Sequence, residues 1–161
     1  MAENINDLAV TARDVLEKLL SLMGVSASVV SAEEALAGND EGDASINLNV
    51  EGDDLGILIG WRGQTLSCIQ YILRIIAGHQ TGKWLPITVD VEGYKRRRYE
   101  GLQALARRIA EQVKVNRMPF TLESMPAYER RVVHLALAEN PDVTTESSGE
   151  GDARRVIVLP V

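Results

Sequence analysis

The nine residues Leu58-Ile59-Gly60-Trp61-Arg62-Gly63-Gln64-Thr65-Leu66 constrain this chain more than any other stretch. An apolar run stops at one glycine, a tryptophan and an arginine follow, and a second glycine opens a long segment with helical apolar spacing. The pattern predicts a short helix, a tight two-residue loop and a second helix. Glycines suit such a loop because they reach backbone angles closed to other residues. Without a Cβ they also let another backbone come close. The second helix begins with N–H groups that lack an intrahelical partner and with a partly positive end. Arg62 adds a full charge beside them, and Gln64 and Thr65 offer side-chain hydrogen bonds. Together these residues make a site suited to a phosphate chain. Trp61 has three open roles: stacking a base, packing on a partner protein, or packing on its own domain.

The formal net charge of −6 looks wrong for a binder of phosphate chains, but the distribution is uneven. Residues 1–54 carry a net −10, whereas residues 94–134 carry +6. Screening over roughly 8–10 Å at physiological salt lets such a local basic block act despite distant opposite charge. No run of eighteen apolar residues exists, so no membrane span is expected. The start, Met1-Ala2-Glu3-Asn4, lacks the basic and apolar regions of a secretory signal. A cytoplasmic protein is the simplest expectation. The one cysteine, Cys68, lies in a helical pattern and is expected to be a small core residue.

Taken in order, residues 5–23 predict an amphipathic helix stopped at Gly24, and residues 25–31 a strand. Residues 32–44 are acidic and glycine-rich and predict a turn or loop; the spacing of their carboxylates does not match a calcium loop. Ile46, Leu48 and Val50 alternate with polar residues as a half-buried strand, and Asp53 or Asp54 is placed to cap the short helix ending at Ile59. Leu66, Ile69, Ile72, Leu73 and Ile76 mark the helix after the loop, with a stop near Gly78. Ile87, Val89 and Val91 alternate with Thr88, Asp90 and Glu92 as a third strand. The order helix, strand, strand, helix, glycine loop, helix, strand is that of a type II KH domain. Its loop clamps about four nucleotides of single-stranded nucleic acid in such domains.

Tyr94-Lys95-Arg96-Arg97-Arg98-Tyr99 opens a long helix, with Arg98 expected at a solvent-facing start of the apolar stripe. Phe120 and Leu122 suggest a short strand. Pro126 starts another helix with Tyr128, Val132, Leu135 and Ala136 as its expected buried side. Residues 143–147 and 154–159 read as a closing hairpin around a Gly149-Glu150-Gly151-Asp152 turn. Arg130 and His134, four residues apart, share one helix face, and Arg131 is adjacent. Glu92-Gly93-Tyr94 is too short for a flexible linker, so residues 1–93 and 94–161 are expected to be two domains packed together. The fold class is α+β, a type II KH domain followed by a small α/β domain with an RxxxH motif.

These motifs resemble the bacterial Jag (also KhpB or EloR) family, which joins a type II KH domain to an RxxxH domain. The resemblance rests on Gly60, Arg62, Gly63, Gln64, Thr65 and Leu66, then Ile69-Gln70-Tyr71. It continues through Asp90-Val91-Glu92-Gly93-Tyr94, Arg97-Arg98, Leu122-Glu123-Ser124-Met125, Tyr128-Glu129-Arg130-Arg131 and His134. Thr145, Ser147, Gly149 and Arg154 resemble the family hairpin. The chain differs in carrying Trp61 where the family loop usually has a second basic residue. The extra N-terminal domain of many members is expected to be missing.

The resemblance implies a non-catalytic, post-transcriptional binder of single-stranded RNA, or of single-stranded DNA. The expected contacts are Gly60, Trp61, Arg62, Gly63, Gln64 and Thr65, the block Lys95, Arg96, Arg97 and Arg98, and Arg130, Arg131 and His134. An alternative implied by the family is a module whose KH domain mainly pairs with a small single-KH protein in control of cell elongation or division. A nuclease using His134 would need a second acid or base, or a metal cage, and no metal-ligand spacing is present. No cofactor, metal, catalytic residue or small-molecule substrate is expected.

Overall fold

The computed structural model describes residues 2–31, 45–84 and 86–161. The acidic stretch of residues 38–43, considered above as a calcium loop, lies outside them. The chain divides into two compact units, Met1–Arg96 and Arg97–Val161, three residues beyond the expected boundary. No helix among the described residues is long and apolar enough to cross a membrane.

The first unit contains α1 (Ala2–Leu22), β1 (Ser28–Ser31), β2 (Ile46–Glu51), α2 (Gly56–Ile59), α3 (Gln64–Thr81) and β3 (Ile87–Val91). α4 (Tyr94–Asn116) starts in its last residues. The strands form one sheet in the order β1-β2-β3. β1 runs antiparallel to β2 with Val29 opposite Val50, and β3 runs parallel to β2 with Leu48 opposite Val89. Leu8, Ala12, Leu16 and Leu20 of α1 recur every fourth residue and are buried with Leu66, Leu73 and Ala77 of α3 against Leu48, Val50 and Val89. Burying each leucine contributes about 1.5–3 kcal/mol relative to exposure.

Three local expectations change. Neither Asp53 nor Asp54 caps α2, whose first flanking residue is Leu55 without a side-chain cap. α3 passes through Gly78 and ends at Gly82, which takes the left-handed conformation (φ 65°) that closes a helix without strain. Gly78 serves instead as a seat for Trp84, whose ring lies 2.9 Å from where a Cβ would sit. His79 is therefore helical rather than in a loop, and packs edge-on to Trp84 at 5.9 Å.

β3 is buried on both faces rather than alternating. Its pairing with β2 uses the Pro86 carbonyl and the Glu92 N–H, which leaves the groups of Ile87, Val89 and Val91 on the outer edge. An open edge invites pairing with other chains, and here side chains close it. Arg74 Nε donates to the Ile87 carbonyl at 2.7 Å, Gln70 Oε1 accepts the Val89 N–H at 3.0 Å, and the buried Asp90 carboxylate accepts the Val91 N–H at 2.8 Å.

The second unit holds the rest of α4, then β4 (Phe120–Ser124), α5 (Ala127–Leu137), β5 (Val143–Ser148) and β6 (Arg155–Pro160). Its antiparallel sheet has the order β4-β6-β5. Leu102, Ala106, Ile109, Ala110 and Val113 of α4 form its core with Val133 and Leu137 of α5 and Val156 and Val158 of β6. The buried face of α5 is Glu129, Val133 and Leu137, one residue round from the expected set. Tyr128 and Leu135 are exposed.

Candidate nucleic-acid interface

α2 is a single turn that ends where the Gly60 N–H donates to the Gly56 carbonyl at 3.0 Å. One 3-10 turn, Trp61–Gly63, joins it to α3. Three positions in the loop need unusual backbone or space. Gly60 has φ 69° and ψ −167°, and a Cβ there would run into the Thr65 side chain. Arg62 sits in the left-handed region (φ 50°, ψ 34°), which a non-glycine residue adopts at a cost of order 1–3 kcal/mol. Gly63 (φ 79°) is buried, and a Cβ on it would lie 3.0 Å from the Tyr94 ring. The two glycines are thus required by their own unit, with Thr65 and Tyr94 filling the space they leave.

The middle pair faces outward. Trp61 is 70% exposed, which removes packing inside its own domain from its three roles. The Arg62 guanidinium carbon lies 5.0 Å from the centre of the Trp61 ring, a cation–π contact that turns indole and charge into one surface. Gln64 is exposed and Thr65 half-buried in the first turn of α3, and Gly63 supplies no side-chain cap to that turn.

The basic block divides into inward and outward members. Lys95 Nζ donates to Gln70 Oε1 at 2.9 Å, and its backbone N–H donates to the Asp90 carboxylate at 3.1 Å. Burial pulls the Lys95 ammonium down to about 8, with nearby Asp90 opposing that shift. Arg98, expected at the solvent, grips Glu129 with two bonds, Nε to Oε1 at 2.9 Å and Nη2 to Oε2 at 3.0 Å. Arg96 and Arg97 are exposed.

On α5, Arg130 and His134 lie side by side, both half-buried, while Arg131 is exposed. His134 is held from two sides by β5, Nδ1 at 2.6 Å from Thr145 Oγ1 and Nε2 at 2.9 Å from Ser147 Oγ. Residues 145 and 147 share one strand face by the two-residue period. A hydroxyl donates or accepts as required, so the pair suits either tautomer. Burial, and then the Arg130 charge, hold the imidazole below its ordinary value, so it is neutral at pH 7. The arrangement puts a guanidinium, an imidazole and two hydroxyls together, all groups able to hydrogen-bond an anion. The sequence held a trace of the two hydroxyls in the alternation of residues 143–148, but nothing tied them to His134.

Two further placements matter. Cys68 is exposed on α3 rather than in the core, because the buried stripe passes through Leu66, Ile69 and Leu73. Tyr71 and Ile72 are exposed beside it, giving α3 an apolar outer face. Among the described residues, no three His, Cys, Asp or Glu side chains come together in a group that could hold a metal ion.

A sheet of order β1-β2-β3 with a Gly-x-x-Gly turn opening α3, followed by a three-stranded unit with Arg and His on one helix, defines the class as a KH protein with an RxxxH domain. Residues 13–89 match the KH domain of KhpA/KhpB, and residues 100–160 match the family model of the RxxxH domain. RNA-binding protein KhpB of Clostridium symbiosum is 36% identical over 156 residues, spanning 97% of this chain and 66% of that protein. RNA-binding protein KhpB of Bacillus subtilis is 30% identical over 151 residues, spanning 89% of this chain and 73% of its own. The Lactiplantibacillus plantarum protein of the same name is 33% identical over 119 residues, 74% of this chain and 37% of its own. The chain belongs to the KhpB family.

Proposed function

We propose that this chain binds single-stranded RNA through two surfaces and acts on transcripts after their synthesis, without catalysis. The first surface is the turn Gly60–Gly63 with Gln64 and Thr65; the second is Arg130, Arg131 and His134, with Arg96 and Arg97 contributing charge. Lys95 and Arg98 serve from inside, holding the elements that carry these groups. The observation that carries the reading is the outward pairing of Trp61 and Arg62 on a turn whose glycines are fixed from within. A base stacks on the indole while a phosphate meets the guanidinium and the first turn of α3. The name RNA-binding protein, shared by the relatives, supports it.

The test is Trp61→Asp with Arg62→Asp, which changes only outward side chains. Replacing the glycines would be a poorer choice, since Thr65 and Tyr94 occupy the space. Losing one stacking contact, about 1–3 kcal/mol, together with a phosphate contact should weaken binding of a short single-stranded RNA at least tenfold. Unchanged affinity in a folded double variant would remove the loop from the interface. The same titration with single-stranded DNA sets the preference between the two.

A second reading has its own observation. The exposed Cys68, Tyr71 and Ile72 face of α3 suits a protein partner, for which a small single-KH protein is the candidate. Tyr71→Glu should then release a co-purifying protein while leaving RNA affinity intact.

A further inference from the structure

Glu129 is the buried acid of the second unit, 1% exposed in the row Glu129, Val133, Leu137 that packs into the core. A carboxylate in such a place is tolerated only when paired and hydrogen-bonded. Arg98 satisfies both oxygens at once, through Nε at 2.9 Å and Nη2 at 3.0 Å. The fork is flanked by the neighbouring residues on the two helices, Tyr99 and Tyr128, whose rings lie 6.3 Å apart.

From this we infer that Glu129 and Arg98 are positioning residues for the RxxxH surface, an inference that rests on the RNA-binding reading above. Glu129 immediately precedes Arg130 and lies five residues before His134, so the rotation of α5 that buries the acid also sets the direction of both. With Arg98 removed, the core face of α5 loses the partner that satisfies its carboxylate, and the helix relieves the strain by turning Glu129 toward water. That turn carries His134 away from Thr145 and Ser147 on β5 and disperses the group around Arg130. Arg98 thus supports RNA binding by pairing inward rather than by meeting a phosphate.

The consequence runs against charge counting. Removing a carboxylate next to a basic surface ordinarily tightens its hold on RNA. Here Glu129→Gln, nearly the same shape without the charge, should weaken it by roughly tenfold, the lower end of what supporting residues contribute at other binding sites. Arg98→Met should weaken binding while the slope of log affinity against log salt stays at the parent value; a lost phosphate contact would flatten that slope by about 0.7. The swap Arg98→Glu with Glu129→Arg should restore affinity. The His134 ring nitrogen resonances, recorded on the full chain without RNA, should move in Glu129→Gln and return in the swap.

The ring resonances separate the two ideas. If the parent chain fails to bind RNA but the ring signals move as described, the functional reading falls and the positioning role stands. Tighter or unchanged RNA binding by folded Glu129→Gln, or ring signals that do not respond, overturns the inference. A flattened salt slope in Arg98→Met returns Arg98 to the phosphate contacts.

Discussion

Gly63 leaves no room for a methyl group: its backbone is left-handed and the Tyr94 ring fills the space. Gly63→Ala should therefore lower stability by about 1–2 kcal/mol from the backbone alone, read as a fall in thermal midpoint. His134 makes a second residue-scale expectation. Its native value lies below the ordinary 6.5, so the native state binds fewer protons than the unfolded chain near neutrality. Its contribution to stability is complete above about pH 6.5 and is lost as pH falls toward the lower native value. RNA affinity at this site should move the opposite way, rising over the same window because a protonated ring beside Arg130 attracts phosphate. A pH series comparing the parent with His134→Ala checks both signs; a parent and variant with the same pH dependence would clear His134 of either role. Arg62, Gly60 and Gly63 were legible from sequence because glycine spacing speaks directly of backbone shape. The Arg98–Glu129 pair was not, since nothing in a run of four basic residues tells which one finds an acid thirty-one positions on.

At the scale of elements, periodicity located both sheets and the long helices. It misjudged the faces where a polar residue is buried or an apolar one exposed. α5 was read one residue out because Tyr128 and Leu135 look like core residues and Glu129 does not. β3 was read as alternating because Thr88 and Asp90 look like surface residues. For the two buried acids a specific partner reverses the ordinary preference: Arg98 for Glu129, and the N–H groups of Val91 and Lys95 for Asp90. Gln70 has a comparable part, accepting from both Val89 N–H and Lys95 Nζ. Gln70→Leu leaves two part-buried donors without that acceptor and should cost about 1–3 kcal/mol, measured by denaturant unfolding. A change below a few tenths of a kcal/mol would mean that the edge of β3 is closed by other means.

At the scale of the molecule, the chain combines an acidic first third with a basic block, and the sum of −6 conceals both. Two modest binding units linked in one chain raise each other's effective concentration, so joint affinity exceeds that of either. A basic block at work makes binding fall with salt, by about 0.7 in slope for each phosphate neutralised on a single strand; a flat response would argue that the charge serves another end. The measurement that bears most directly on the whole account is a titration of the isotope-labelled chain with a short single-stranded RNA, followed through its amide signals. The account predicts shifts at residues 60–65 and around Arg130, His134, Thr145 and Ser147. Undisturbed signals at both places would contradict it.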